Sequence, residues 1–153
     1  MGEGGRLRAA TEFLGILALV ASLGFVGTEI RQNTVAVRSA TTQAVADQTM
    51  NLTLAMATDD HLPGLVARLG DGVTRADLSP DDHMRLRLAM IAGLRRQENL
   101  YLQVQAGVLD RVSLGNTSFA FYQNAFGREL WASVRSTFHQ EFARYWDEVL
   151  QEP

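Results

Sequence analysis

The sequence predicts an all-α protein: a single amino-terminal transmembrane helix that continues into a small bundle of four or five helices. Three observations predict it. Only three prolines occur, at Pro63, Pro80 and Pro153, and no stretch sustains strand-like alternation. An uncharged apolar run, Phe13 to Thr28, lies near the amino end. Nine of the twelve aromatic residues fall between Ser118 and Leu150, at spacings that gather them on helix faces.

Residues 1–10 read as a short polar tail, 11–30 as the anchor helix and 31–153 as the bundle domain. The 16 residues from Phe13 to Thr28 span ~24 Å at ~1.5 Å each, a little under the ~30 Å hydrocarbon core. Ile30 extends the run beyond Glu29. Three readings of it stay open: a membrane-spanning helix, a cleaved secretion signal, or a buried core helix. Ser22 and Gly24 supply the small residues that a signal peptidase needs, whereas Glu12 at the edge of the run speaks against cleavage. The spanning helix is the reading that length and composition favour.

Arg6 and Arg8 before the run are matched by Arg31 and Arg38 after it, so the positive-inside rule leaves the side carrying the bundle undecided. Within the run, Ala18, Ala21, Gly24 and Thr28 fall roughly on one stripe. Small residues on one face let helices approach closely in lipid, and composition bias is the competing account. Gln32, Asn33 and Thr34 follow as a polar patch, suited to the membrane–water boundary.

Helix continues without a breaker to about Thr58. Asp59 and Asp60 then cap a short helix, His61 to Leu69, with Pro63 in its first turn. After the Gly70-Asp71-Gly72 loop comes the clearest helix start: Ser79 as N-cap, Pro80 at the first helical position, and Asp81 and Asp82 on the dipole. That helix runs to about Val108. Its apolar positions cover more than one face, which predicts a central element. Further on, Phe119, Tyr122 and Phe126 suit one face, and Phe138, Phe142, Tyr145 and Val149 another. Trp131 and Val134 lie between, and Gly127 and Ser136-Thr137 are candidate breaks.

Net charge is −3, and all 14 cationic residues are arginine. There is no electrostatic case for nucleic acid, and the arginine usage fits a GC-rich genome. Without cysteine, disulfides, thiolate metal sites and cysteine catalysis are excluded.

Ile30-Arg31-Gln32-Asn33-Thr34 and the central Glu98-Asn99-x-Tyr101, placed after an apolar segment, resemble an uncharacterised family of small bacterial proteins. Those carry an amino-terminal membrane helix and a helical domain ending in Trp- and Phe-rich helices. Gln97 stands where that pattern has an aromatic residue. The resemblance implies an architecture and no chemistry.

Candidate sites are few. Asp59-Asp60-His61 and Asp81-Asp82-His83 have metal-ligand chemistry, but both stand where helices begin, and capping accounts for them. Residues 71–82 have calcium-loop length, yet Val73, Arg75 and Ala76 occupy positions that need oxygen ligands or glycine. Glu98, with Arg95 one turn before it, sits among apolar residues: a buried polar hub with Gln32 and Asn33 as partners, or a proton-handling group. The aromatic cluster reads as core or as a docking surface anchored by Trp131 and Trp146. Serine elbows, phosphate loops and dinucleotide fingerprints are absent.

No cofactor is implied. The expected partners are the lipid bilayer and another membrane protein or complex, and a homo-oligomer is compatible with the sequence. The expected role is a non-enzymatic accessory or scaffold subunit in a bacterial inner membrane, single-pass. The alternatives are a membrane-tethered sensor domain binding a small ligand, and an enzyme using Glu98.

Overall fold

A computed structural model describes the backbone of residues 3–115 and 119–151 and the side chains of residues 11–114 and 121–151. Among the described residues every regular element is helical. The elements are α1 (Glu3–Thr58), α2 (Leu62–Gly70), a 3-10 turn (Arg75–Asp77), α3 (Pro80–Gln105), a single turn α4 (Val112–Gly115), a 3-10 turn (Phe119–Tyr122), α5 (Ala125–Val134), a 3-10 turn (Arg135–Thr137) and α6 (Gln140–Val149).

The chain divides into two units, Met1–Ala40 and Thr41–Pro153. The compact body thus begins at Thr41, ten residues beyond the predicted start at 31, because Arg31 to Ser39 are all exposed. The expected polar tail is already helical from Glu3; its side chains, including Arg6 and Arg8, lie outside the described residues, as does the side chain of Phe119.

Local signals place the helix ends in the second unit. Asp59 Oδ1 accepts from the backbone N–H groups of His61 and Leu62, both at 2.9 Å, which starts α2 and holds the Asp59 carboxyl below its usual range. Ser79 Oγ accepts from the Asp82 N–H at 3.1 Å, with Pro80 at the first position of α3. At the other end of α3, Val108 N–H reaches Gln103 O and Gly107 N–H reaches Val104 O. This 6→1 and 5→2 pairing reverses the chain through Gly107 at φ +70°.

From Thr41 to Asp59 the half-buried positions are Thr41, Val45, Thr49, Leu52, Met56 and Asp59, a helical stripe laid on the body. Along α3 the buried positions are Leu86, Met90, Gly93, Leu94, Gln97, Leu100 and Tyr101. Met84 and Leu88 are instead 51% and 59% exposed, so α3 buries a broad face rather than every side. The core closes with Phe126, Leu130, Trp131 and Val134 of α5 and Phe142, Ala143, Trp146 and Val149 of α6.

Trp131 and Trp146 are 5% and 0% exposed, which corrects their reading as docking anchors. Trp146 meets Tyr122 edge-on at 5.3 Å between centroids and Phe142 at 5.5 Å, and Trp131 meets Phe138 at 5.2 Å. Rings that satisfy one another in this way have no face left for a partner.

Burial pushes the Tyr122 hydroxyl up to about 12, so this ring stays neutral and acts as a wedge. A Cβ on Gly93 would overlap its hydroxyl, and one on Gly127 would overlap its backbone carbonyl. Gly127 is therefore a packing position inside α5 and not the break its type suggests. Gly127→Ala is expected to cost about 1–3 kcal/mol of stability, read from the denaturant midpoint. A neutral result would mean that the Tyr122 segment yields freely.

Candidate functional site

Two features carry functional content: the apolar half of α1 and a polar node that holds α6. In the first unit, Phe13, Leu14, Ile16, Leu17, Leu19, Val20, Leu23, Phe25 and Val26 are each 46–65% exposed. They occupy every side of the helix, and none of the apolar window is buried within the chain. The helix is long and apolar enough to cross a membrane.

Threonine hydroxyls in and just beyond this stretch are satisfied within the helix. The Thr28 hydroxyl donates to Phe25 O at 2.7 Å and the Thr34 hydroxyl to Ile30 O at 2.9 Å. Back-bonding of this kind satisfies a hydroxyl inside its own helix. The stripe Ala18, Ala21, Gly24 and Thr28 is exposed, and nothing lies within 4 Å of a Cβ built on Gly24.

The second feature centres on Glu98, whose side chain is 13% exposed. Its Oε2 pairs with Arg95 Nη1 at 2.8 Å, and its Oε1 accepts the His139 backbone N–H at 2.6 Å. Arg95 Nη2 also donates to the Thr137 carbonyl and hydroxyl at 3.1 and 3.0 Å, and its guanidinium lies 3.9 Å over the Phe138 ring. Arg95 and Glu98 thus form a polar hub, as their spacing suggested, but its partners come from the start of α6. Gln32 and Asn33 are exposed residues of the first unit. Both Glu98 oxygens are occupied by protein donors. The carboxylate places negative charge at the amino end of α6, where the helix dipole favours it.

The carboxyl end of α6 is held by the opposite charge. Arg128 Nη1 donates to Leu150 O at 2.6 Å, and Gln123 Nε2 to Val149 O at 3.1 Å. Between the ends, Asp147 accepts the Trp131 indole N–H at 2.8 Å and a fork from Arg135 Nε and Nη2 at 3.0 and 2.6 Å. The Arg135 hydrogen bond holds the Asp147 carboxyl below the usual carboxylate range. Trp131 and Arg135 are one turn apart, a spacing visible in the sequence; Asp147, sixteen residues from Trp131, is a tertiary partner.

Of the Asp-Asp-His triplets, Asp59 and Asp82 are engaged at helix starts, Asp82 accepting from the Ser79 hydroxyl at 2.8 Å. Among the described residues no three His, Asp or Glu side chains gather closely enough to hold a metal.

Glu98→Ala is expected to destabilise the body by about 1–3 kcal/mol, because it strands two donors, whereas Glu98→Gln, which keeps one acceptor, loses less. Chemical denaturation followed by tryptophan fluorescence reads both. If the two variants match the parent, the node is not structural.

Comparison with protein-family models, curated proteins and solved structures finds no match to this chain.

Proposed function

We propose that the protein is a membrane-anchored, non-enzymatic accessory or scaffold subunit of a bacterial inner-membrane complex. Residues 11–30 cross the bilayer once, and the helical body from Thr41 onward docks a partner. One observation carries the reading: the large apolar side chains between Phe13 and Val26 are exposed all round their helix. A helix apolar on every side is stable only in a core or in lipid, and among the described residues none of its apolar window is buried. The engagement of both Glu98 oxygens in structural contacts supports a role without catalysis. The resemblance of Ile30 to Thr34 and of Glu98-Asn99-x-Tyr101 to small bacterial membrane proteins supports the setting.

Extraction in mild detergent followed by affinity purification tests the role. The expected result is a second membrane protein recovered at constant stoichiometry. A monodisperse monomer with nothing bound overturns the scaffold assignment while leaving the anchor intact.

A further inference from the structure

Arg75, in the turn after α2, and His83 and Arg87, one turn apart on α3, line a common cleft. Among the described residues Arg75 and Arg87 have no carboxylate partner, unlike Arg85, Arg95 and Arg135, each of which is ion-paired. Arg87 is also set in place. Its Nη1 donates to Ser133 Oγ at 3.0 Å, and that hydroxyl donates to Leu130 O at 2.7 Å. This chain of bonds uses one donor of the guanidinium and leaves the rest of its fork to a ligand. His83 is steadied by an edge-on contact with Phe126 at 5.7 Å.

The cleft has two parts with different chemistry. The inner recess, beside Ser133, has a volume of ≈ 70 Å³, several times the ~10–15 Å³ that one water needs. Glu129 is its one carboxylate among the described residues, against two guanidinium groups. The outer part is walled by Leu78, Pro80 and Met84. A carboxylate would be saturated by a single arginine fork. Three nitrogen-bearing side chains lining one cleft, Arg75, His83 and Arg87, suit a tetrahedral dianion with three free oxygens, and the apolar wall suits a hydrocarbon attached to it.

We propose that this cleft binds a phosphomonoester with an apolar organic part, its phosphate held by Arg75, His83 and Arg87 and its apolar part resting on Leu78, Pro80 and Met84. A soluble metabolite and a phosphatidate headgroup share this chemistry.

Isothermal titration of the full chain in a non-ionic detergent, with phenyl phosphate and inorganic phosphate as probes, tests it. Saturable binding at one site is expected, tighter for phenyl phosphate. The double variant Arg75→Gln/Arg87→Gln is expected to weaken binding by roughly tenfold or more. Glu129→Gln, which removes the opposing charge, is expected to strengthen it, a gain that no loss of folding imitates. Repeating the titration in phosphatidylcholine bilayers with and without phosphatidate separates the two sources. Displacement of phenyl phosphate by phosphatidate assigns the site to the lipid headgroup, and its failure to displace assigns the site to a soluble phosphomonoester. Absence of saturable binding, or binding indifferent to the arginine and Glu129 substitutions, overturns the proposal.

Discussion

Two arginines at the middle of the apolar run, Leu19→Arg with Val20→Arg, are expected to move the full-length chain from the membrane fraction to the aqueous one. Both residues are about 60% exposed, at 63% and 60%, so neither change disturbs packing within the chain. Each exchange of an apolar residue for arginine at the centre of a membrane helix costs about 3 kcal/mol, about 6 kcal/mol for the pair. At about 1.4 kcal/mol per factor of ten, that is roughly a ten-thousandfold change in partitioning. The control is Met50→Arg with Leu54→Arg, two residues of the second unit that are 69% and 58% exposed; it should leave the distribution unchanged. Fractionation with mass measurement of the recovered chain decides the matter. A parent chain that is aqueous without detergent, or one that lacks the apolar run, would remove the anchor.

Trp146→Ala should be among the most damaging single changes in the body, with a loss of about 3–5 kcal/mol. Its side chain is fully enclosed, against Tyr122, Trp131 and Phe142. Set against the usual ~5–15 kcal/mol of net stability, the truncation takes much of what holds the body folded. Near-UV circular dichroism during denaturation is the suitable probe, since the far-ultraviolet signal includes the long α1. A loss under about 1 kcal/mol, the range of a surface position, would return Trp146 to the docking surface that its residue type suggested.

What could be read from the sequence is what local chemistry writes. Ser79, Pro80 and Asp82 mark the start of α3 because a cap, a fixed φ and a charge act within one turn. The apolar stripes around α5 and α6 place Phe126, Phe138, Phe142 and Val149 inside because the helical period is visible without any partner. The Arg95–Glu98 pair was legible for the same reason, being three residues apart. Its other contacts were not: His139 lies 41 residues from Glu98, and Gln32 and Asn33 were as plausible in composition. The cleft beside α3 was legible only in the one-turn spacing of His83 and Arg87. Arg75 reaches it from a separate turn, Phe126 and Ser133 from a separate helix. The start of the body at Thr41 depends on where neighbours end, and nothing in the uninterrupted helix from Thr11 to Thr58 records that.

The opposite charges at the two ends of α6 have a consequence for cooperativity. At ten residues, α6 is shorter than the ~12–15 that an isolated helix needs to be even marginally stable in water. Glu98 comes to it from α3 and Arg128 from α5, so the departure of either neighbour removes one of its two stabilising charges. The last helix is therefore expected to lose its amide protection no later than α3 or α5 loses theirs.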